Sequence, residues 1–234
     1  MWGDVHLSDE FNLKKIAAIK NAYTENFGIP RQSGLANSLL SEIVFEPEFR
    51  RIEAIRELND FSHIWLIWKF TEAERDTWSP TVRPPRLGGN KRVGVFATRS
   101  PYRPNPIGLS CVEIVSIKED SVLGPVITVA GADLLNGTPI YDIKPYIPYA
   151  DAKPKAKEGF TSVEKRRCEV ICDNAILSVL PETLQSALIE VLREDPRPAY
   201  QSDSTRIYKM SFGGFRVSFK VEDAILTIIN IEKE

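Results

Sequence analysis

The chain has 234 residues, 43 % hydrophobic and 26 % charged, with a formal net charge of −2. That length suits one large or two small folded units with a real core, and the mild acidity argues against a uniformly basic nucleic-acid binder. Three cysteines, a polar and acidic stretch at residues 1–10, and no run approaching the roughly 20 apolar residues of a membrane span predict a cytoplasmic protein without leader or anchor.

Charge is unevenly spread. Between Arg75 and Pro106 seven cations face Asp76 alone, and between Lys144 and Arg167 seven cations face three acids. Basic surface confined to two segments attracts phosphates locally, although a solvated basic loop has the same composition.

In chain order, residues 13–20 read as a first strand or a short helix, with no period that decides. Residues 23–34 are dense in turn formers and read as a loop. Residues 48–59 have helical spacing, with Phe49, Ile52, Ile55 and Leu58 on one face. Residues 61–70 are aromatic and β-branched, a buried strand. A proline-rich loop (79–90), a short strand (93–97) and a second loop stiffened by Pro101, Pro104 and Pro106 follow. Residues 109–117 and 122–130 are predicted to pair around a polar turn, and 138–143 to form another strand after a turn at 133–137. This first part is mainly β, a barrel or sandwich by its strand spacing. Lys153-Pro-Lys-Ala-Lys157 reads as a linker. Beyond it, residues 182–193 predict a helix, with Pro181 in its first turn, that stops at Asp195-Pro196. Residues 206–210, 215–221 and 224–231 predict an antiparallel sheet with Gly213-Gly214 as a hairpin turn. The predicted division is a mainly β domain at 1–151, a basic linker at 152–166 and a small α+β domain at 167–234.

Several chemistries lack their motifs. There is no G-x-G-x-x-G, no P-loop and no G-x-S-x-G. The chain has two histidines, and Cys168 and Cys172 lack further ligands, so no metal site is expected. Carboxylates, arginines and tyrosines remain. The densest candidate is residues 93–109, where a strand delivers Arg99 into a stiff loop with Arg103 and Asn105. Stiffness lowers the entropy lost on holding a ligand, and a guanidinium suits carboxylate or phosphate; a rigid loop whose arginines pair with the protein's own acids fits equally well. In residues 131–146, Asp133 sits at a strand end, and Asp142, Lys144 and Tyr146 share one strand face. Pro30-Arg31-Gln32 is a polar loop with no mechanism of its own. His63 reads as a hydrogen-bonded core residue more than as a catalyst, and Glu72, next to Thr71, as a solvated carboxylate that could accept from ribose hydroxyls. Glu72, Arg99 and Asp133 each follow the C-terminal end of a predicted strand. Co-oriented strands would bring them to one mouth, a common place for a ligand.

Pro30-Arg-Gln, Phe61-Ser-His-Ile-Trp65, Pro84-Pro-Arg-Leu-Gly-Gly89, residues 94–108 (GVFATRSPYRPNPIG) and residues 133–146 (DLLNGTPIYDIKPY) resemble the TsaA-like (TrmO) family of tRNA threonylcarbamoyladenosine N6-methyltransferases. The resemblance spans about residues 13–151, and Asp195-Pro-Arg-Pro-Ala-Tyr200 resembles the C-terminal extension of longer bacterial members. It implies a small β-barrel that binds S-adenosylmethionine without a Rossmann domain, works as a homodimer, and methylates threonylcarbamoyladenosine at tRNA position 37, next to the anticodon. It assigns the cofactor to Pro30, Arg31, Gln32, Thr71, Glu72, Arg99, Leu109, Gly131, Ala132, Asp133 and Leu134, with Thr71 and Glu72 aligned only by their distance from the aromatic strand. Asn136 stands where the family commonly has an acid. Arg86, Lys91, Arg103, Asn105 and Lys144 are assigned to the RNA, with Arg103 or Lys144 for the threonyl carboxylate, and Tyr141 or Asp142 as the base. Two rivals remain: an S-adenosylmethionine-binding RNA module without catalysis, and a function carried by the C-terminal segment alone.

Overall fold

The computed structural model describes residue 10 and residues 12–73, 77–162, 167–197 and 203–234. The N-terminal residues 1–9, Arg75 and Asp76 of the first basic segment, residues 163–166 of the linker and Pro198 to Tyr200 of the tail motif lie outside the described residues.

Eight strands lie before residue 146: β1 (Ala17–Lys20), β2 (Leu40–Phe45), β3 (His63–Lys69), β4 (Thr81–Val82), β5 (Val93–Gly94), β6 (Ile107–Asp120), β7 (Gly124–Ala130) and β8 (Pro139–Pro145). Six of them pair antiparallel in the order β1-β2-β7-β6-β3-β8, and β8 pairs back onto β1, so the ring closes; β4 and β5 form a separate two-stranded ribbon. Alternation explains the inner face. In β3, Ile64, Leu66 and Trp68 are buried, while His63, Trp65, Ile67 and Lys69 are only half-buried. With Ile19, Ile43, Ile127, Val129, Leu134 and Ile140 they fill the ring. Gly108, opposite Trp68, is obligatory: a Cβ there would lie 2.2 Å from the Trp68 indole.

A bulge shapes β8. Ile140 pairs with Trp68 and Asp142 with Ile67, so Tyr141 is the extra residue. Inward Leu66 then pairs with Ile143, and Asp142 and Lys144 lie on the outer face beside Ile67 and Trp65. His63 lies on that face too, against Ser62 Oγ (2.9 Å) and the Tyr146 ring, and not in the core.

The structure resolves residues 13–20 as strand from Ala17. It adds β2, which no sequence pattern announces. Residues 48–59 form not one helix but three short 3-10 segments (Pro47–Phe49, Ile52–Ile55, Leu58–Asp60), with Glu57 left-handed at φ 65°. Phe49, Ile55 and Leu58 still pack on the ring. Residues 95–97 make a 3-10 turn after β5. The β6–β7 hairpin turns at 121–123, where Asp120 Oδ1 accepts from the Val122 and Leu123 amides at 2.8 Å.

After β8 come α1 (Pro148–Asp151), β9 (Glu169–Ile171), α2 (Asn174–Leu177), α3 (Glu182–Arg193), β10 (Tyr208–Phe212), β11 (Phe215–Glu222) and β12 (Ile225–Lys233). Pro181 stands at the N-cap position of α3, just outside the first turn expected for it, and makes no side-chain capping bond. The sheet order is β10-β11-β12-β9, antiparallel except for the β12–β9 pair. Gly213 and Gly214 (φ 61° and 83°) make the expected hairpin turn. Ala187, Leu188, Val191 and Leu192 of α3 pack on Met210, Phe212, Phe219 and Leu226. Tyr23, Ala36 and Leu39, from the loop joining β1 to β2, complete this second core. Glu190 of α3 accepts from the Ser38 amide (2.8 Å) and hydroxyl (2.6 Å). Among the described residues no helix is long and apolar enough to cross a membrane.

Candidate cofactor site at one end of the strand ring

Both β3 and β7 run antiparallel to β6, so they are co-oriented. Their C-terminal ends lie at one end of the ring, with the start of β6. The segments leading from β3 to Glu72, from β7 to Asp133, and from Arg99 into β6 therefore meet there. The loop of residues 21–39 crosses the same end.

Hydrogen bonds fasten that loop to the turn after β7. The Gly34 amide donates to Gly131 O (2.8 Å), Asn21 Nδ2 to Leu134 O (2.9 Å), and the Asn136 amide to Tyr23 O (2.8 Å). Asn136 Oδ1 accepts from the Asn21 amide (3.1 Å), so this side chain bridges the turn and the loop. Gly131 is held at φ +76°, and a Cβ there would lie 2.5 Å from Asn37 Oδ1 and 3.1 Å from Gly34 backbone atoms. Only glycine permits this approach.

The polar centre is Asp133. Its carboxylate accepts from Ser110 Oγ (2.5 Å), which in turn accepts from Trp68 Nε1 (2.9 Å). The Ser33 amide donates to it and the Arg99 charge acts on it. Ser33 Oγ accepts from the Cys111 amide (3.2 Å). Arg99 Nη1 donates to Gln32 Oε1, and Gln32 Nε2 donates to Arg31 O. Burial pushes the Asp133 carboxyl up to about 6, against the opposing pull of Ser110, backbone amides and Arg99. Its charge therefore changes near neutral pH. Burial, with the Asp133 and Glu190 carboxylates, also pushes the Tyr23 phenol well above its ordinary range.

The other candidates fall at varied distances from this centre. Pro30 is buried in the loop, and Arg31 Nη2 reaches Arg197 O (3.2 Å), with the Asp195 and Arg86 charges acting on it. Gly131, Ala132 and Leu134 form the buried turn itself. Glu72 is tied to the same loop by Asn26 Nδ2, and Thr71 is exposed beside it. Leu109 points outward and is 54 % exposed. Tyr141 is the bulge residue beside the Trp68–Ile140 pair. Asp142 pairs with Lys144 (2.8 Å) on the outer face, away from Asp133. Arg86 donates to Thr161 O (2.6 Å), Arg103 lies over the Phe96 ring, and Lys91 and Asn105 are exposed.

Sequence reasoning missed Ser33, Ser110 and Asn26. Ser110 carried a readable signal, a polar residue at an inward position between Gly108 and Val112; the other two sit in a loop whose contacts are long-range. Cys111, on the outer face, has its thiol pushed up by burial and by Asp151, and is no ready nucleophile.

The fold and this cluster define a class: a mainly β protein whose site offers a near-neutral carboxylate, an arginine and an amide, equipped to hold a charged small molecule rather than to attack it covalently. Residues 18–152 match the family model of the tRNA-methyltransferase O N-terminal domain, and residues 168–234 that of the TrmO C-terminal domain. The chain belongs to the tRNA-methyltransferase O family. It is 37 % identical over 233 residues to the tRNA (adenine(37)-N6)-methyltransferase of Escherichia coli K12, covering 95 % of this chain and 98 % of the relative. A Pseudomonas aeruginosa protein, named for S-adenosylmethionine-dependent methyl transfer, is 39 % identical over 197 residues, 81 % of this chain and 83 % of its own. The crystal structure of TrmO from Pseudomonas aeruginosa superposes with a TM-score of 0.79 at 27 % identity, covering 98 % of this chain and all of that one.

Proposed function

We propose that the protein transfers a methyl group from S-adenosylmethionine to N6 of adenosine 37 in tRNA, and that the accepted base is the threonylcarbamoyl form. The observation that carries this is the joint match of both parts of the chain to one methyltransferase family, together with the Asp133–Arg99–Gln32 cluster at the ring end.

The residues suit that cofactor. The Asp133 carboxylate complements a cationic ligand, Gln32 and Arg99 offer an amide and a guanidinium for its polar groups, and Leu109 offers apolar surface. Apolar side chains fill the ring interior. The reading therefore places the cofactor on the rim and outer face rather than down a mouth. Leu109, Ile67 and Asp142 stand in one row across β6, β3 and β8. Two strand spacings separate Leu109 from Asp142, about 10 Å, so the base assigned to Asp142 or Tyr141 lies across the outer face from the cofactor contact. When bound, the cofactor supplies a methyl group already activated for displacement. What remains for the protein is positioning, which is worth much of the acceleration, and acceptance of the N6 proton. That proton sits between an adenine and a ureido carbonyl and needs only a weak base. Lys144, beside Asp142, is the partner proposed for the threonyl carboxylate.

The closed six-stranded ring is taken as the family's small barrel. Residues 1–151 are its domain, 152–166 its linker and 167–234 a C-terminal domain whose core the loop of residues 21–39 completes. A homodimer through the outer face, where Ile107 and Leu109 are exposed, would cover the cofactor, and the cytoplasm is the proposed location. Light scattering at micromolar concentration should give about twice the chain mass, and Leu109→Arg should reduce it to one.

The function is tested by methyl transfer from labelled S-adenosylmethionine to two tRNA preparations, one with and one without threonylcarbamoyl at adenosine 37. Label on the first alone is expected. Label on both would move the substrate to unmodified adenosine, and binding of both ligands without label would leave the non-catalytic module.

A further inference from the structure

Three flat groups crowd the loop that leads into Arg99. Phe96 belongs to the 3-10 turn Val95–Ala97, in which Val95 is buried while Phe96 is 72 % exposed. The Trp78 ring, 54 % exposed, lies 6.2 Å from it, centroid to centroid, at 33°. The Arg103 guanidinium lies 6.0 Å above Phe96 and is held there by its own bond to Thr98 O (3.0 Å). The backbone beneath is fixed: the Val95 amide donates to Pro80 O (2.9 Å), and Val95 O accepts from the Thr98 amide (3.1 Å) and hydroxyl (2.8 Å).

Single exposed apolar side chains need no explanation. Two aromatic rings grouped with a guanidinium on a fixed backbone do. From residue 77 to residue 106 the sequence holds six cations and no acid. A second copy of the chain would bring the same charge against itself, whereas a polyanion is attracted. We propose that Trp78, Phe96 and Arg103 form a stacking platform for an unpaired base of the RNA, next to the adenosine that is methylated. Bases splayed out of a loop stack on aromatic rings and guanidinium planes, while nearby cations hold the phosphates. Phe96 is three residues from Arg99, so their Cα atoms are within about 11 Å, close enough for one strand of RNA to reach both the platform and the reacting centre. This rests on the tRNA reading above and adds the place where the flanking nucleotide is held.

The test uses the full chain with an anticodon stem-loop RNA, comparing the parent with Phe96→Ala, Phe96→Trp and Trp78→Phe. Phe96→Ala should weaken RNA binding about five-fold or more, and leave S-adenosylmethionine affinity, melting temperature and sedimentation mass unchanged. Phe96→Trp should restore binding. Trp78→Phe should bind RNA as the parent does, yet lose the part of the RNA-induced fluorescence quench that stacking on Trp78 causes. Parent-like RNA affinity in Phe96→Ala overturns the platform alone, and a changed sedimentation mass in that variant reassigns the patch to a second copy. Failure of the parent to bind the RNA overturns the platform and the tRNA reading together.

Discussion

Two loops meet at the Arg99–Gln32 contact, and they are built in opposite ways. The loop of residues 21–39 is anchored on both sides: it bonds the turn after β7 through Gly34 and Asn21, and sends Tyr23, Ala36 and Leu39 into the core under α3. The segment of residues 77–106 is pinned by prolines, the β4–β5 ribbon and two 3-10 turns (Pro85–Leu87 and Val95–Ala97), and it keeps Trp78, Phe96 and most of its cations at the surface. Substitutions in the first should cost folding and cofactor affinity together, while those in the second, Arg99 at the contact itself apart, should cost RNA recognition alone.

The largest expected effect breaks the first loop's anchor. Gly131→Ala meets both a positive φ and the Gly34 backbone, and should lower stability by about 3 kcal/mol, measured by denaturant unfolding. A neutral result would mean the loop is not held there. The next concerns Asp133. Its folded value, about 6, is raised from 3.8. Between those values the folded protein holds a proton the unfolded chain has released, so stability falls as pH rises through that window and stays low above it. At pH 7.5 the buried charge costs on the order of 2–3 kcal/mol. Asp133→Asn should therefore melt higher than the parent at pH 7.5, with the gap closing near pH 4. A gap independent of pH would move the titration elsewhere.

Arg99→Ala should weaken S-adenosylmethionine binding by roughly 1.5–3 kcal/mol, the range of a lost charged hydrogen bond, with little change in stability because the guanidinium is exposed. Calorimetry separates the two. The smallest effect belongs to the second loop. Arg86→Ala with Lys91→Ala should lower the salt slope of tRNA binding by roughly 1–2 units and spare the cofactor. An unchanged slope would make these cations solubilising only.

How much of this was legible varies with the element. Helix α3 has one apolar stripe and clean ends, and β3 is an unbroken aromatic and β-branched run from Ile64 to Trp68, so both could be read; which side chains of β3 face inward could not. The strand β2 could not. Ser41 is buried and Leu40 is 51 % exposed, so the alternation is inverted where the strand begins. Phe49, Ile52, Ile55 and Leu58 repeat strictly every third residue, which is the period of a 3-10 helix and not of an α-helix; the signal was present but assigned to the wrong helix. The placement of Glu72 and Asp133 at one end follows from the shared direction of β3 and β7, whereas Arg99 reaches that end by leading into β6, because the strand expected at 93–97 stops at Gly94 in the separate β4–β5 ribbon and gives way to a 3-10 turn. The outward placement of Asp142 follows from the β8 bulge, which only pairing reveals. Ser33 enters the site through a contact with Asp133, far away in sequence, and no local pattern marks it.

The claim that the ring end holds the cofactor through Asp133 is tested most directly by S-adenosylmethionine affinity from pH 5 to pH 8, in the parent and in Asp133→Asn. A cationic ligand held by a carboxylate that titrates near 6 should bind more tightly as pH rises through that value in the parent, and show no such rise in the variant. The same pH profile in both proteins would contradict it.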